Sequence, residues 1–235
     1  MKKYIKLLRI EQWIKNIFVF LPLFFSGSFL HLELFSVSLF AFFIFSFTAS
    51  CIYIINDYID IEADKKHPEK CKRPLASGEI SKSAAKLVFA GLVFLIISLT
   101  SLVGFLFSID LLYFCLVICA YFIMNIAYTF RLKHIAIVDI SIIALGFVFR
   151  VLAGGYITGI WISQWAILLT FVLALVLAIG KRRGELINSQ INGKTRKALD
   201  GYNIQFADIV LAVSCSLAII CYVMFTPVSY THLRA

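Results

Sequence analysis

Apolar residues dominate the chain in long runs, and polar residues are concentrated in the connections between those runs. A helix needs about 20 apolar residues to span the hydrocarbon core of a bilayer. Seven runs have spanning length, so the pattern predicts an all-α, polytopic transmembrane helix bundle. The predicted spans are roughly 14–31, 34–55, 84–107, 111–128, 135–157, 163–180 and 206–225.

The seven spans indicate one integral membrane domain over residues 1–226. Residues 227–235 begin with a proline and show no apolar helical pattern. We therefore expect a non-helical tail there, and its abrupt start suggests an end that is truncated or not native.

Composition excludes a soluble domain. Hydrophobic residues make up 61% of the chain, charged residues 15%, and the mean hydropathy is +0.93. Five of the six cysteines lie in apolar runs, where cysteine acts as a small hydrophobic residue, and Cys71 lies in a charged loop. We expect neither a disulfide nor a zinc site.

The basic residues lie on one side of the predicted bundle. If the helices alternate in direction, 20 of the 22 Lys and Arg residues share one face, including those of the charged loops 57–83 and 181–204. The positive-inside rule therefore places the N-terminus and these loops in the cytoplasm. The net charge of +9 suits anionic headgroups or phosphate substrates, and we expect no nucleic-acid partner. The sequence leaves a homo-oligomer open.

The first candidate site is the segment 56–74. Asp57, Asp60 and Asp64 are spaced by three and four residues, which places them on one face of a helix. Oxygen ligands of this kind suit Mg²⁺, which completes its shell with water and substrate phosphates. The basic residues expected to hold those phosphates are Lys65, Lys66, Lys70 and Arg73. A solvated acidic loop is the alternative, but the ordered pattern disfavours it.

This segment resembles the first aspartate-rich motif of the UbiA superfamily of intramembrane prenyltransferases, NDxxDxxxD followed by HPxKxxRPxAxG. Lys65 is a departure, because arginine is usual there. The resemblance implies nine transmembrane helices around a lipid-open cavity, of which seven are visible here. It also implies a diphosphate held through Mg²⁺, with Asn56 as a neutral partner of the aspartates.

A second motif is Gln12-Trp13-Ile14-Lys15-Asn16. Physical reasoning alone makes Trp13 an interfacial anchor and Lys15 a flanking residue that reaches the headgroups. The motif also resembles one branch of the superfamily, the polyprenyl-phosphate phosphoribosyltransferases, and this resemblance makes Lys15 a candidate substrate-binding residue.

A third motif is Gly180-Lys181-Arg182-Arg183-Gly184-Glu185. Lys181 and Glu185 are four residues apart and face one way on a helix, although a basic stop signal with an incidental glutamate is an alternative. Aromatic prenyltransferases usually carry a second DxxxD motif here. KRxxE in its place resembles the phosphoribosyltransferase branch, which implies substrate-binding roles for Lys181 and Arg182 and a catalytic role for Glu185. Asp200 and Tyr202 extend the same loop, and Tyr202 is a further candidate substrate-binding residue.

Polar residues also occur in the fifth predicted span. Asp139 and Arg150 are eleven residues apart and lie nearly on one face of a helix. Charges within a membrane normally face a bundle interior or a wet cavity, so a structural contact and a cavity-lining role both stay open. Upstream, Lys133 matches the lysine of the branch's YxxxLKxxxxxD stretch.

The resemblance implies an Mg²⁺-dependent enzyme of a bacterial inner membrane. It would transfer 5-phosphoribose from phosphoribosyl diphosphate to a polyprenyl phosphate and release diphosphate. One alternative is a prenyltransferase that moves a prenyl group from a prenyl diphosphate to an aromatic or other small acceptor. Another is a transporter or lipid-binding membrane protein, although the polar residues concentrate at one face rather than at the midplane.

Overall fold

The long apolar runs form helices, because a helix satisfies its backbone hydrogen bonds within one segment. The computed structural model describes residues 2–192 and 201–232, and within them there are helices and no strands. The α-helices of the described ranges are α1 (Lys2–Leu8), α2 (Leu21–Phe25), α3 (Leu32–Ile59), α4 (Ile61–Lys65), α5 (Lys82–Phe107), α6 (Leu112–Phe130), α7 (Ala136–Thr158), α8 (Gln164–Asn192) and α9 (Ile204–His232). The predicted all-α fold is confirmed.

Six of these helices, α3 and α5 to α9, are long and apolar enough to cross a membrane. The first predicted span, 14–31, is wrong in form, since no single helix covers it. It consists of a 3₁₀ helix (Ile10–Phe20), then α2, then a short 3₁₀ turn (Ser28–Leu30). Pro22 lies at the start of α2, and Gly27, with φ 70°, separates α2 from the 3₁₀ turn that follows.

The 3₁₀ helix is long for its type, at 11 residues. A 3₁₀ helix rises about 2.0 Å per residue and an α-helix about 1.5 Å. Together with α2, the continuous helical run therefore extends about 30 Å, close to the thickness of a hydrocarbon core.

Two predicted boundaries also need correction. Helix α8 continues to Asn192, so the predicted loop 181–204 begins inside a helix. Helix α9 continues to His232, so the predicted non-helical tail is wrong for residues 227–232. Pro227 removes one backbone hydrogen bond but does not end the helix, and such prolines are tolerated in membrane helices. Residues 233–235 lie outside the described residues.

The chain divides into two compact units, and the first comprises Met1–Phe122 and Ala153–Ile160. Its core joins α1, the end of α3 and the segment that follows α3. The buried members are Leu7, Cys51, Ile54, Ile61, Leu75, Ile80, Ala85 and Leu92. Because Leu75 and Ile80 are buried with Leu7, the N-terminal helix packs against the charged segment 57–83.

Polar contacts fix the 3₁₀ helix of the first unit on α3. Trp13 donates from Nε1 to Oγ of Ser50 at 3.1 Å, and Asn16 donates from Nδ2 to Oγ of Ser46 at 2.8 Å. Such hydrogen bonds join helices effectively where no water competes for them. Trp13 and Asn16 of the second motif therefore have a structural role in this unit.

The second unit comprises Ile123–Leu152 and Trp161–Ala235. Helices α8 and α9 pack side by side in it, and Phe206 donates its backbone N–H to the Asn203 side chain at the start of α9. The buried core of the unit is Ile140, Ala178, Ile179, Leu186, Tyr202 and Ala207. The charged turn of α8 thus begins directly beside this core.

Candidate active site

The first aspartates lie where α3 ends. Asp57 is in the last turn of α3, Asp60 breaks the helix at φ −88° and ψ 9°, and Asp64 lies in α4. The backbone N–H of Asp60 donates to the Asn56 carbonyl at 3.0 Å, and that of Asp64 to the Asp60 carbonyl at 2.8 Å. Helical spacing therefore continues across the break, and it keeps Asp57 and Asp64 on the same side.

Basic side chains neutralise two of these carboxylates. Arg73 donates from Nη1 to Asp64 Oδ2 at 2.6 Å and to Asp57 Oδ1 at 3.1 Å. Nζ of Lys70 lies 3.8 Å from Asp64 Oδ1, and Nη2 of Arg9 lies 2.5 Å from Asp57 Oδ1. Asp57 and Asp64 are each about 2% exposed, so their charges need such partners. Two of the three predicted aspartates, Asp57 and Asp64, therefore meet two of the predicted phosphate-binding cations, Lys70 and Arg73, in one cluster.

The cluster suits a hard divalent cation. No three His, Cys, Asp or Glu side chains meet as a metal site in the part of the chain that the structure describes. However, one Arg73 nitrogen contacts both Asp57 and Asp64, so a single cation can bind both carboxylates. The donors are all oxygen, which Mg²⁺ prefers. Asp60, half-buried between them in the chain, is the third predicted ligand.

The other predicted residues of this unit are Lys65, Lys66, Lys15 and Asn56. Lys65 pairs with Glu62 at 2.9 Å, and this hydrogen bond lowers the pKa of the Glu62 carboxyl. Lys66 is exposed at the end of α4, Lys15 is exposed on the 3₁₀ helix, and Asn56 is half-buried in α3. Their roles in substrate binding stay predictions.

In the second unit, Arg182 is the centre of a charged cluster. Asp139 Oδ2 accepts a hydrogen bond from Arg182 Nε at 2.8 Å and lies 2.8 Å from Nη2, and Glu185 Oε2 accepts from Nη1 at 2.8 Å. Tyr128 donates its hydroxyl to Asp139 Oδ1 at 2.7 Å. Asp139 is 1% exposed, so the ion pair with Arg182 and the hydrogen bond from Tyr128 satisfy a buried charge. Arg182 therefore holds two carboxylates, while Lys181, one residue earlier, is exposed.

The predicted residue Tyr202 carries a buried hydroxyl group in the second unit. Its side chain is 7% exposed, and its hydroxyl has no hydrogen-bond partner among the described residues. Burial, reinforced by the negative charge of Asp139, raises the pKa of Tyr202 from 10.0 to about 12, although Arg182 opposes the shift. The hydroxyl is therefore protonated at neutral pH and is a hydrogen-bond donor.

Two further predicted residues of the second unit are Arg150 and Lys133. Arg150 is buried in α7, donates to the Gly146 carbonyl at 2.5 Å and lies over the Phe147 ring. The hydrogen bond to Gly146 is one structural contact of Arg150, and its role in substrate binding stays a prediction. Lys133 is half-buried in a 3₁₀ turn (Leu132–His134). Asp200 lies outside the described residues.

Sequence reasoning missed Arg9 as a member of the first cluster. Arg9 and Asp57 are 48 residues apart, so no local spacing connects them. Sequence does indicate that some cation is needed, because an aspartate buried at the end of an apolar run is stable only with a partner of opposite charge. Sequence reasoning also missed Arg182 as a partner of Asp139, since the two residues are 43 apart.

Residues 17–186, which are most of the chain, match the UbiA prenyltransferase family. The chain belongs to the UbiA prenyltransferase family. It is therefore a multi-pass membrane protein, and the predicted family is confirmed.

Within this UbiA family, two relatives are named decaprenyl-phosphate phosphoribosyltransferase. The one from Corynebacterium glutamicum is 33% identical over 225 residues, which cover 94% of this chain and 66% of the relative. The one from Mycolicibacterium smegmatis is 37% identical over 224 residues, which cover 93% and 68%. The chain thus spans about two thirds of the length of these relatives.

A solved structure shows the same fold. The UbiA homolog from Archaeoglobus fulgidus bound to DMAPP and Mg²⁺ matches with a TM-score of 0.70 and 22% sequence identity. The match covers 99% of this chain and 78% of that one. At this identity the likeness establishes the UbiA fold and nothing finer.

Proposed function

We propose that this UbiA-family protein transfers 5-phosphoribose from phosphoribosyl diphosphate to a polyprenyl phosphate and releases diphosphate. The observation that carries the proposal is the charged turn of α8. It presents Lys181, Arg182 and Glu185 where prenyltransferases of the family usually place two aspartates. The identity to relatives named decaprenyl-phosphate phosphoribosyltransferase supports the same choice.

The first cluster is assigned to the diphosphate. Asp57, Asp60 and Asp64 would hold Mg²⁺, which when bound stabilises the negative charge that develops on the leaving diphosphate. Lys70 and Arg73 already lie beside these carboxylates, at 3.8 Å and 2.6 Å from Asp64. Their charges would attract phosphate oxygens and orient the diphosphate for departure.

The second cluster is assigned to the additional phosphates of these substrates. Arg182 keeps Asp139 and Glu185 in place, so the donors available to a phosphate are the exposed Lys181 and the protonated hydroxyl of Tyr202. The nucleophile, a phosphate oxygen of the lipid, is already anionic. No general base is therefore needed for the attack.

The deciding experiment supplies both substrates to membranes that contain the protein. Radiolabelled phosphoribosyl diphosphate and a polyprenyl phosphate are incubated with and without Mg²⁺, and label is counted in the lipid phase. We expect Mg²⁺-dependent transfer, and we expect Asp64→Asn to abolish it while the protein stays folded. Membranes carrying the Asp64→Asn variant at equal abundance are the control.

A parallel incubation tests the alternative. Labelled prenyl diphosphate is given with an aromatic acceptor in place of the lipid phosphate. If the label moves from the prenyl diphosphate and none moves from phosphoribosyl diphosphate, the phosphoribosyl assignment is wrong and the prenyltransferase alternative replaces it. Full transfer after exhaustive chelation would refute the role of Mg²⁺.

A further inference from the structure

Arg9 has an unusual backbone conformation at the junction between α1 and the 3₁₀ helix. Its φ and ψ are both 50°, in the left-handed region. Among the described non-glycine residues, only Arg9 and Ser108 have positive φ. The left-handed conformation is costly for a residue with a Cβ and persists only where the surroundings impose it.

Contacts on both sides hold Arg9 in this conformation. Leu7, two residues earlier, is fully buried in the core of the first unit, and the carbonyl of Leu8 accepts a hydrogen bond from Ser50 at 2.8 Å. On the other side, Trp13 donates to the same Ser50 hydroxyl. The guanidinium lies 4.7 Å from the centre of the Tyr53 ring, over its face.

The result of this arrangement is a fixed contact with Asp57. Arg9 Nη2 lies 2.5 Å from Asp57 Oδ1, and Arg73 donates to that same oxygen at 3.1 Å. Within the described residues, Oδ2 of Asp57 accepts no hydrogen bond from another side chain. One oxygen of this carboxylate is thus held by two cations, and the other remains for a different ligand.

We propose that Arg9 is a positioning residue that holds Asp57 by Oδ1 and so presents Oδ2 to a divalent cation. Partners of this kind orient a metal-binding carboxylate without touching the metal, and their loss typically weakens metal binding about 10–100-fold. Arg73 cannot replace Arg9 fully, because it divides its donor between Asp57 and Asp64. The proposal rests on the metal-binding role proposed for Asp57, but not on the identity of the sugar or prenyl donor.

The test measures metal binding rather than turnover. Mn²⁺ replaces Mg²⁺ as a paramagnetic probe, and free Mn²⁺ is measured by electron paramagnetic resonance in the purified full chain with inorganic diphosphate. Both enzyme alternatives release diphosphate, so the result does not depend on which one is correct. We expect Arg9→Gln to weaken Mn²⁺ binding about 10-fold or more, and Arg9→Lys to restore part of the loss.

A double-variant cycle separates positioning from direct contact. If Arg9 acts through Asp57, Arg9→Gln has no further effect in an Asp57→Asn background. Arg183→Gln is the matched control, because Arg183 pairs with Asp208 in the second unit, outside both clusters, and should leave Mn²⁺ affinity unchanged.

Three results would overturn the proposal. Unchanged Mn²⁺ affinity in a folded Arg9→Gln protein would remove the role of Arg9. Equal losses with and without Asp57 would make Arg9 a direct ligand of diphosphate instead. Absence of Mn²⁺ binding by the wild type would refute the metal-binding role of the aspartates. That result would not bear on whether the transferred group is phosphoribose. If Arg9→Gln fails to fold, Arg9→Lys carries the same measurement.

Discussion

Replacing Gly154 with alanine tests the packing of the N-terminal 3₁₀ helix directly. A Cβ at Gly154 would lie 1.9 Å from the carbonyl oxygen of Val19 and 3.3 Å from Cδ of Pro22. Ordinary contacts start near 3.4 Å, so the 3₁₀ helix would have to move by more than an ångström. The obstructing atom belongs to the backbone, and no side-chain rotation can relieve the clash.

The magnitude follows from this geometry. Overpacking typically costs about 1–3 kcal/mol, and a clash with backbone belongs at the upper end of that range. For a chain of this length, about 2–4 °C in Tm corresponds to 1 kcal/mol. We therefore expect Gly154→Ala to lower Tm by about 6–12 °C at about 3 kcal/mol.

Gly91→Ala in α5 is the matched control. The substitution is identical, but a Cβ at Gly91 has no neighbour within 4 Å. Replacing an unconstrained helical glycine stabilises by about 0.4–1 kcal/mol, so Tm should rise by about 1–4 °C.

The assay follows thiol exposure during heating in detergent, in a background that retains Cys51 as the sole cysteine. Cys51 is 1% exposed in the core of the first unit, so it reacts only on unfolding. If Gly154→Ala and Gly91→Ala shift Tm equally, or if Gly154→Ala is neutral, the close approach of Val19 is refuted.

Three further predictions concern the charged residues and topology. Arg182→Ala should lower the free energy of unfolding by about 3 kcal/mol in denaturant titrations, because it leaves the buried Asp139 without this partner. Lys181→Ala should keep the stability and weaken phosphoribosyl diphosphate binding by about 1–3 kcal/mol. Equal effects of the two variants on stability would contradict the assignment. The raised pKa of Tyr202 contributes stability that is fully present below pH 10 and is lost as pH rises towards 12. Unfolding scans of Tyr202→Phe should show a smaller loss over that interval, and an unchanged profile would contradict the shift. Cys71 should resist impermeant thiol reagents applied outside intact cells, and its labelling there would contradict the cytoplasmic assignment of the charged loops.

The parts of the fold that sequence predicts are those set by local physics. The helices α3 and α5 to α9 follow from the length of apolar runs, because lipid leaves the backbone few alternatives. The contact of Asp64 with Arg73 is also local, at nine residues apart. A short connection from α4 to Arg73 is enough to bring these two groups together.

The parts that sequence could not predict depend on distant partners. Arg182 and Asp139 are 43 residues apart, and Arg9 and Asp57 are 48 apart. Their pairing depends on how helices pack, and one sequence does not specify that. The 3₁₀ form of residues 10–20 could not be predicted for another reason. Hydrophobicity indicates the length of an apolar run but does not distinguish a 3₁₀ helix from an α-helix.

The 3₁₀ form has a consequence for the register between the first helical segment and α3. Three residues of a 3₁₀ helix rise about 6.0 Å, which equals the rise of four residues of an α-helix. Trp13 and Asn16 are three apart, and their partners Ser50 and Ser46 are four apart, in the opposite direction. Between these two hydrogen bonds, three residues of the 3₁₀ helix therefore cover the same length as four residues of α3. A single-residue insertion between Trp13 and Asn16 would break this match completely, whereas a conservative replacement at either position would disturb one rung.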